Sequence, residues 1–160
     1  MKQTDTLRML NRRQLAVGAA AVATLSLLPV VPALAQDQPE AKAWEAMVKK
    51  ILGDAKPTEG KVAIDMAEIA ENGNTVPIAL SVESPMTDKD YVKAIYIIST
   101  ANPRPEVATF RFTPASGAAK AESRMRLIGT QDVIAIAELS DGKFLMGRRP
   151  VKVTVGGCGG

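Results

Sequence analysis

Apolar positions recur along this chain at two different periods, and the change falls near residue 57. Trp44, Met47, Val48 and Ile51 follow an i, i+3, i+4, i+7 spacing, which predicts an amphipathic helix over residues 39–52. Pro39 suits its first turn, where a missing N–H is harmless. Glu40 and Glu45 lie toward its N-terminal end and Lys49 and Lys50 toward its C-terminal end, as the helix dipole prefers. Gly53 is the expected stop.

Beyond Lys56-Pro57 the period drops to two. Val62, Ile64 and Met66 alternate with Ala63, Asp65 and Ala67. A turn signal follows at Asn72-Gly73-Asn74. Val76, Ile78, Leu80 and Val82 then alternate with smaller residues, and Pro77 within that run marks an edge strand or a bulge. Residues 91–99 and 133–139 are near-continuous apolar runs. Residues 107–113 alternate, as do Arg124 to Leu127. After the turn at Asp141-Gly142, two short runs, 144–146 and 151–155, complete the set. The pattern predicts about seven short strands at a spacing of roughly 8–12 residues, the signature of an all-β sandwich. The expected fold is therefore mainly β: an immunoglobulin-like sandwich with one N-terminal amphipathic helix and a flexible, Gly-rich C-terminal arm.

The segment before the helix reads as an export signal. Lys2, Arg8, Arg12 and Arg13 form a basic n-region. A moderately apolar stretch from Leu15 to Val31 follows, and Ala33-Leu34-Ala35 is an A-x-A cleavage site. The Arg12-Arg13 pair resembles a twin-arginine signal. The alternatives are an ordinary secretory signal with a chance Arg pair, or a membrane anchor. The shortness of the apolar core and the cleavage site argue against the anchor. The expected organisation is a cleaved signal over 1–35, a helix-plus-sandwich domain over 36–155 and an arm over 156–160, in a periplasmic protein. Twin-arginine cargo crosses already folded. With no recognisable cofactor motif, a co-exported partner subunit is the expected reason.

Charge changes meaning once the signal is set aside. The whole chain has 20 Lys and Arg against 17 Asp and Glu, a formal net charge of +3. Residues 1–35 hold four of the basic residues and one of the acidic ones. The remainder is balanced, so neither nucleic acid nor an anionic membrane surface is indicated as a partner. The chain contains no His and one Cys. His-based triads, dyads and metal sites are excluded, as are internal disulfides and Cys-rich clusters. No catalytic residue, cofactor site or metal site is indicated. Asp65, Glu68 and Glu71 read as a solvated acidic face.

The single Cys stands in an unusual place. The chain ends Gly156-Gly157-Cys158-Gly159-Gly160. Such a tail is thin, and glycine loses more conformational freedom on ordering than any other residue. Five residues span at most roughly 17 Å, so the thiol can swing on the order of 10 Å from the last strand. A thiolate accepts a group at sulfur and releases it by attack there. Cys158 is thus the expected attachment point of a covalent carrier, with Gly156, Gly157, Gly159 and Gly160 as the flexible arm. Arg148, Arg149 and Lys152 sit one strand earlier. A C-a-a-X lipidation box does not fit, because it needs Cys fourth from the end.

The terminal Gly-Gly-Cys-Gly-Gly, the twin-arginine pair and a small β-rich chain resemble the SoxY family, sulfur carriers of thiosulfate oxidation. The stretches Glu71-Asn72-Gly73-Asn74-Thr75-Val76-Pro77-Ile78 and Val82-Glu83-Ser84-Pro85-Met86 are similar as well. The resemblance implies a non-catalytic subunit carrying thiosulfate-derived sulfur on Cys158. It implies a heterodimer with SoxZ, a small β-sandwich protein without a signal of its own. It also implies transient encounters with a haem-containing sulfur transferase, a sulfate-releasing hydrolase and a sulfane dehydrogenase. Two other readings stay open at this point. One is a ubiquitin-like sulfur carrier using a thiocarboxylate on Gly160, against which the export signal and the lack of a mid-chain helix argue. The other is a secreted structural sandwich that dimerises through Cys158.

Overall fold

The computed structural model describes residues 43–158. The proposed signal over 1–35, the first residues of the expected helix, and Gly159 and Gly160 lie outside the described residues. One α-helix, α1 (Ala43–Leu52), precedes nine strands. These are β1 (Thr58–Glu59), β2 (Val62–Asp65), β3 (Ile69–Asn72), β4 (Val76–Val82), β5 (Val92–Ser99), β6 (Glu106–Arg111), β7 (Ala119–Met125), β8 (Gln131–Leu139) and β9 (Phe144–Val155).

The strands form two sheets. The larger runs β1-β9-β8-β5-β6, with β3 also paired to β9. The smaller runs β2-β4-β7 and is wholly antiparallel. The inner faces meet over one core. Val62, Ile78, Leu80 and Met125 from the small sheet face Ile95, Ile97, Val133, Ala135 and Val151 from the large one. The opposite face of the large sheet carries Ile98, Ile134 and Ile136, and α1 covers them with Trp44, Met47, Val48 and Ile51. β5 and β8 are therefore covered on both sides. That is why their sequences read as apolar runs instead of alternations. Each fully buried Ile or Leu of this double layer contributes about 1.5–3 kcal/mol. The guanidinium of Arg148 sits 5.5 Å from the centroid of the Trp44 ring and closes the helix–sheet seam from outside.

The sandwich and the helix are as the periodicity predicts, but the strand inventory differs in three places. β1 and β3 escape the pattern because each is very short and runs parallel along β9, with almost no buried side chain to create a period. β7 begins at Ala119, earlier than Arg124, because its exposed Lys120, Glu122 and Arg124 mask the pattern. The two final runs are one strand, β9. Pro150 is tolerated within it because β1 pairs residues 145–146 and β3 residues 152–155, which leaves the proline opposite a gap. Pro77 obeys the same logic: β2 pairs only residues 79–82 of β4, so Pro77 has a neighbour on the β7 side alone. Among the described residues no helix is long and apolar enough to cross a membrane.

One polar cluster spans β5 and β8. Lys93 Nζ lies 2.5 Å from Glu138 Oε1, and the Tyr96 hydroxyl donates to Glu138 Oε2 at 3.0 Å. The Lys93 hydrogen bond holds the Glu138 carboxyl below its ordinary range near 4.5, against the opposing pull of burial and with help from Tyr96. A lowered carboxyl pKa stabilises the fold above the unfolded-state value, and that contribution disappears as pH falls through the folded-state value. Glu138→Gln is therefore expected to flatten the acid limb of a melting-temperature profile below about pH 4.5. An acid limb identical to wild type would remove this cluster as its cause.

Candidate functional site

The last strand delivers the chain terminus to a loop cluster at one end of the sandwich. Three backbone segments stack there. The Gly73 amide donates to Val155 O, the Leu127 amide to Gly73 O, and the Gly157 amide to Leu127 O, each at 2.8 Å. The turn between β3 and β4, the segment after β7 and the start of the arm are thus tied together by main-chain hydrogen bonds.

Glycine is required at these contacts because of distance, and no unusual dihedral is involved. A Cβ on Gly157 would lie 2.7 Å from the Arg126 side-chain stem and 2.7 Å from Gly73 O. One on Gly156 would run into the Ile128 carbonyl, and one on Gly73 into the Leu127 carbonyl. Gly157 is buried, whereas Gly156 and Cys158 are exposed. Here the structure differs, at Gly156 and Gly157, from the expectation of a flexible arm. Gly156 and Gly157 lie against the body as close-contact residues.

The segment that receives the arm is itself held from beneath. Asn102 donates through Nδ2 to Arg126 O at 2.7 Å, and its Oδ1 accepts from the Ile128 amide at 3.2 Å. Gln131 donates to the same Oδ1 at 2.9 Å, and its own Oε1 accepts from the Ala101 amide at 2.9 Å. Asn102 and Gln131 are both buried. Their amides satisfy one another and the loop backbone, and a fully satisfied buried network of this kind fixes one loop geometry.

Cys158 is the one free cysteine among the described residues. Its main chain makes two bonds to side chains. The Cys158 amide donates to Asn74 Oδ1 at 3.2 Å, and Arg126 Nη1 donates to Cys158 O at 3.1 Å. Asn74 is pre-set for this. Its amide nitrogen Nδ2 donates to Asn72 Oδ1 at 3.0 Å, and its backbone N–H donates to the same oxygen at 2.9 Å. With Nδ2 engaged by Asn72, Oδ1 is left for Cys158.

Two basic residues of β9 are engaged elsewhere. Arg148 approaches Asp132 at 3.5 Å and Arg149 reaches Glu68 at 3.3 Å. The guanidinium at the cysteine is that of Arg126, 32 positions away in the chain. Sequence reasoning placed Arg126 as a polar partner on a strand and assigned nothing to Asn102 or Gln131. The only legible signal was Asn72-Gly73-Asn74, read as a turn. Asp65, Glu68 and Glu71 are exposed, as expected of a solvated face. Among the described residues, no three His, Cys, Asp or Glu side chains converge as a metal site.

Fold and site together define a β-sandwich protein whose last strand brings a lone, glycine-flanked thiol to the surface. The family described as sulfur oxidation protein SoxY matches residues 48–158, and the chain belongs to that family. The solved structure of the sulfur carrier protein SoxY from Chlorobium limicola f thiosulfatophilum is similar at a TM-score of 0.60 and 28% identity, covering 72% of this chain and 99% of that one. A superoxide reductase (neelaredoxin) from Ignicoccus hospitalis is similar at 0.53 and 18% identity, covering 68% and 86%. That second likeness is one of fold alone. No curated protein matches the chain.

Proposed function

We propose that this protein is a covalent sulfur carrier that holds thiosulfate-derived intermediates on Cys158 and presents them to periplasmic enzymes. The observation that carries the reading is an exposed, unique cysteine within a glycine-flanked terminus, in a chain of the SoxY family. The Chlorobium relative is described as a sulfur carrier, which supports the same role here.

The chemistry proceeds at one sulfur atom. A haem-containing transferase joins the Cys158 thiolate to the sulfane sulfur of thiosulfate. An S–S bond forms, two electrons leave to the haem protein, and a cysteine S-thiosulfonate remains. A hydrolase then adds water at the terminal sulfonate. The S–S bond to that group breaks, sulfate and two protons depart, and a persulfide anion stays on Cys158. A sulfane dehydrogenase takes six electrons from the outer sulfur as three waters supply its oxygens and release six protons. The second hydrolysis frees sulfate and restores the thiolate.

The carrier contributes no group to these steps except the thiol. Its part is to keep reactive sulfur species tethered while three different active sites read one handle. The slender terminus suits this, because glycines beside Cys158 add no bulk at the mouth of a partner's pocket. In this reading the signal over 1–35 directs twin-arginine export. A SoxZ-like β-sandwich subunit, lacking a signal, travels as the other half of a heterodimer.

Intact-mass analysis tests the assignment. After incubation of the heterodimer with thiosulfate and the transferase, the chain is expected to gain the mass of one thiosulfate, mapped to Cys158 and released by a reducing thiol. An adduct on the Gly160 carboxylate would instead support the thiocarboxylate reading.

A further inference from the structure

The arrangement around the terminus points to a step that precedes any handover of cargo. We propose that Asn74 and Arg126 form a latch, which holds the Cys158 main chain against the sandwich and must open before the cysteine enters a partner's active site. The two residues are positioning residues. They hold the cysteine by its backbone amide and carbonyl.

Four observations carry this. First, both bonds to Cys158 are made by side chains to its amide and its carbonyl, so they hold the residue whatever is attached to sulfur. Second, both partners are themselves held. Asn72 orients Asn74, and Asn102 grips the Arg126 carbonyl and the next-but-one amide. A loose surface side chain loses rotamer entropy on making such a contact, but a pre-set one loses less. Third, the glycines just before Cys158 pack at distances that admit no Cβ, which aligns the cysteine between the two side chains. Fourth, Cys158 remains exposed. The latch therefore fixes where the thiol stands without burying it.

The consequence is a carrier with two arm states. In the docked state, seen here, Gly157 and Cys158 are bound to the body. In the released state the two Cys158 bonds are lost and Cys158 turns away from the body. Both bonds are solvent-exposed, so each adds only a modest free energy, with the charged Arg126 donor the stronger. A latch of that strength keeps the arm docked most of the time yet opens without unfolding anything else. The inference rests on Cys158 being the carrier residue for its functional meaning, but the latch itself is testable without any sulfur chemistry.

The test uses the mature chain and its single native cysteine. Amide hydrogen exchange at Cys158 and the mobility of a nitroxide attached to Cys158 report the docked population. Asn74→Ala is expected to speed exchange at the Cys158 amide about tenfold and to convert the label from a slow to a fast spectrum. Asn74→Asp keeps an acceptor oxygen for the Cys158 amide but loses the bond from Nδ2 to Asn72, and is expected to restore protection in part. Arg126→Met keeps the stem that packs on Gly157, removes the guanidinium, and is expected to mobilise the label as well. Unchanged exchange and label mobility in Asn74→Ala and Arg126→Met would overturn the latch. So would equal loss of protection in Asn74→Ala and Asn74→Asp, since a purely structural role for the turn predicts that result. Failure of thiosulfate to load Cys158 would overturn the carrier reading and leave these measurements standing.

Discussion

Cys158→Ser is expected to abolish sulfur loading and thiosulfate-dependent turnover completely, while leaving the melting transition and partner assembly unchanged. The chemical half of the expectation is simple. The chain has one thiol, and a hydroxyl at that position neither forms an S–S bond nor leaves as a stable thiolate when the bond is cleaved. The structural half follows from which atoms of Cys158 are engaged. Its two hydrogen bonds use the backbone amide and carbonyl, and Ser offers both unchanged. The side chain is absent from both apolar clusters of the sandwich, so no cavity forms on its replacement. The measurement pairs a mass spectrum after thiosulfate treatment with a thermal melt of the same sample. Residual loading in the Ser variant would move the carrier site elsewhere. A lowered melting temperature would make the cysteine structural.

That separation of chemistry from packing also explains how much was legible in the sequence. Cys158 declared itself because its setting is one-dimensional: a unique residue type, bracketed by glycines, at the end of the chain. The helix was legible for a related reason, since Trp44, Met47, Val48 and Ile51 make a face from local spacing alone. The latch residues were not legible. Asn74 and Arg126 meet Cys158 only because β9 returns the chain end to the turn after β3 and the segment after β7. Contacts between residues 32 and 84 positions apart depend on topology, and a single sequence does not display topology. Gly156 and Gly157 were legible as residues, but not the close contacts they make. Their small size suggested freedom, yet Gly157 is glycine because Gly73 and Arg126 approach too closely for anything larger. Close approach and flexibility leave the same letter in the sequence. Only the neighbours distinguish them.

Gly147 is a further instance of that ambiguity, inside the sandwich. It lies between the two apolar runs 144–146 and 151–155 and belongs to β9, paired with Ala135 of β8. It is buried where β9 meets β2 of the other sheet. A Cβ there would run into the carbonyl of Val62 and lie 3.3 Å from the Val62 Cβ. The position needs glycine because the two sheets approach closely at this crossing. Gly147→Val is therefore expected to destabilise the fold even though valine favours strands. Forcing extra volume into a packed interior costs about 1–3 kcal/mol. The obstruction here is backbone, which yields less readily than a side chain, so the upper end applies. Against a typical total of about 5–15 kcal/mol this is a large fraction. The melting temperature is expected to fall by roughly 5–15 °C, with Gly147→Ala intermediate. A melting temperature equal to wild type would mean that β2 swings away from β9 at little cost. The functional consequence differs in kind from that of Cys158→Ser. If the chain is exported folded, as its paired arginines suggest, Gly147→Val lowers the amount of protein delivered, and each delivered molecule still loads sulfur. Cys158→Ser delivers a full complement that loads none. Measuring exported protein and adduct per molecule in both variants separates delivery of a folded chain from loading at Cys158.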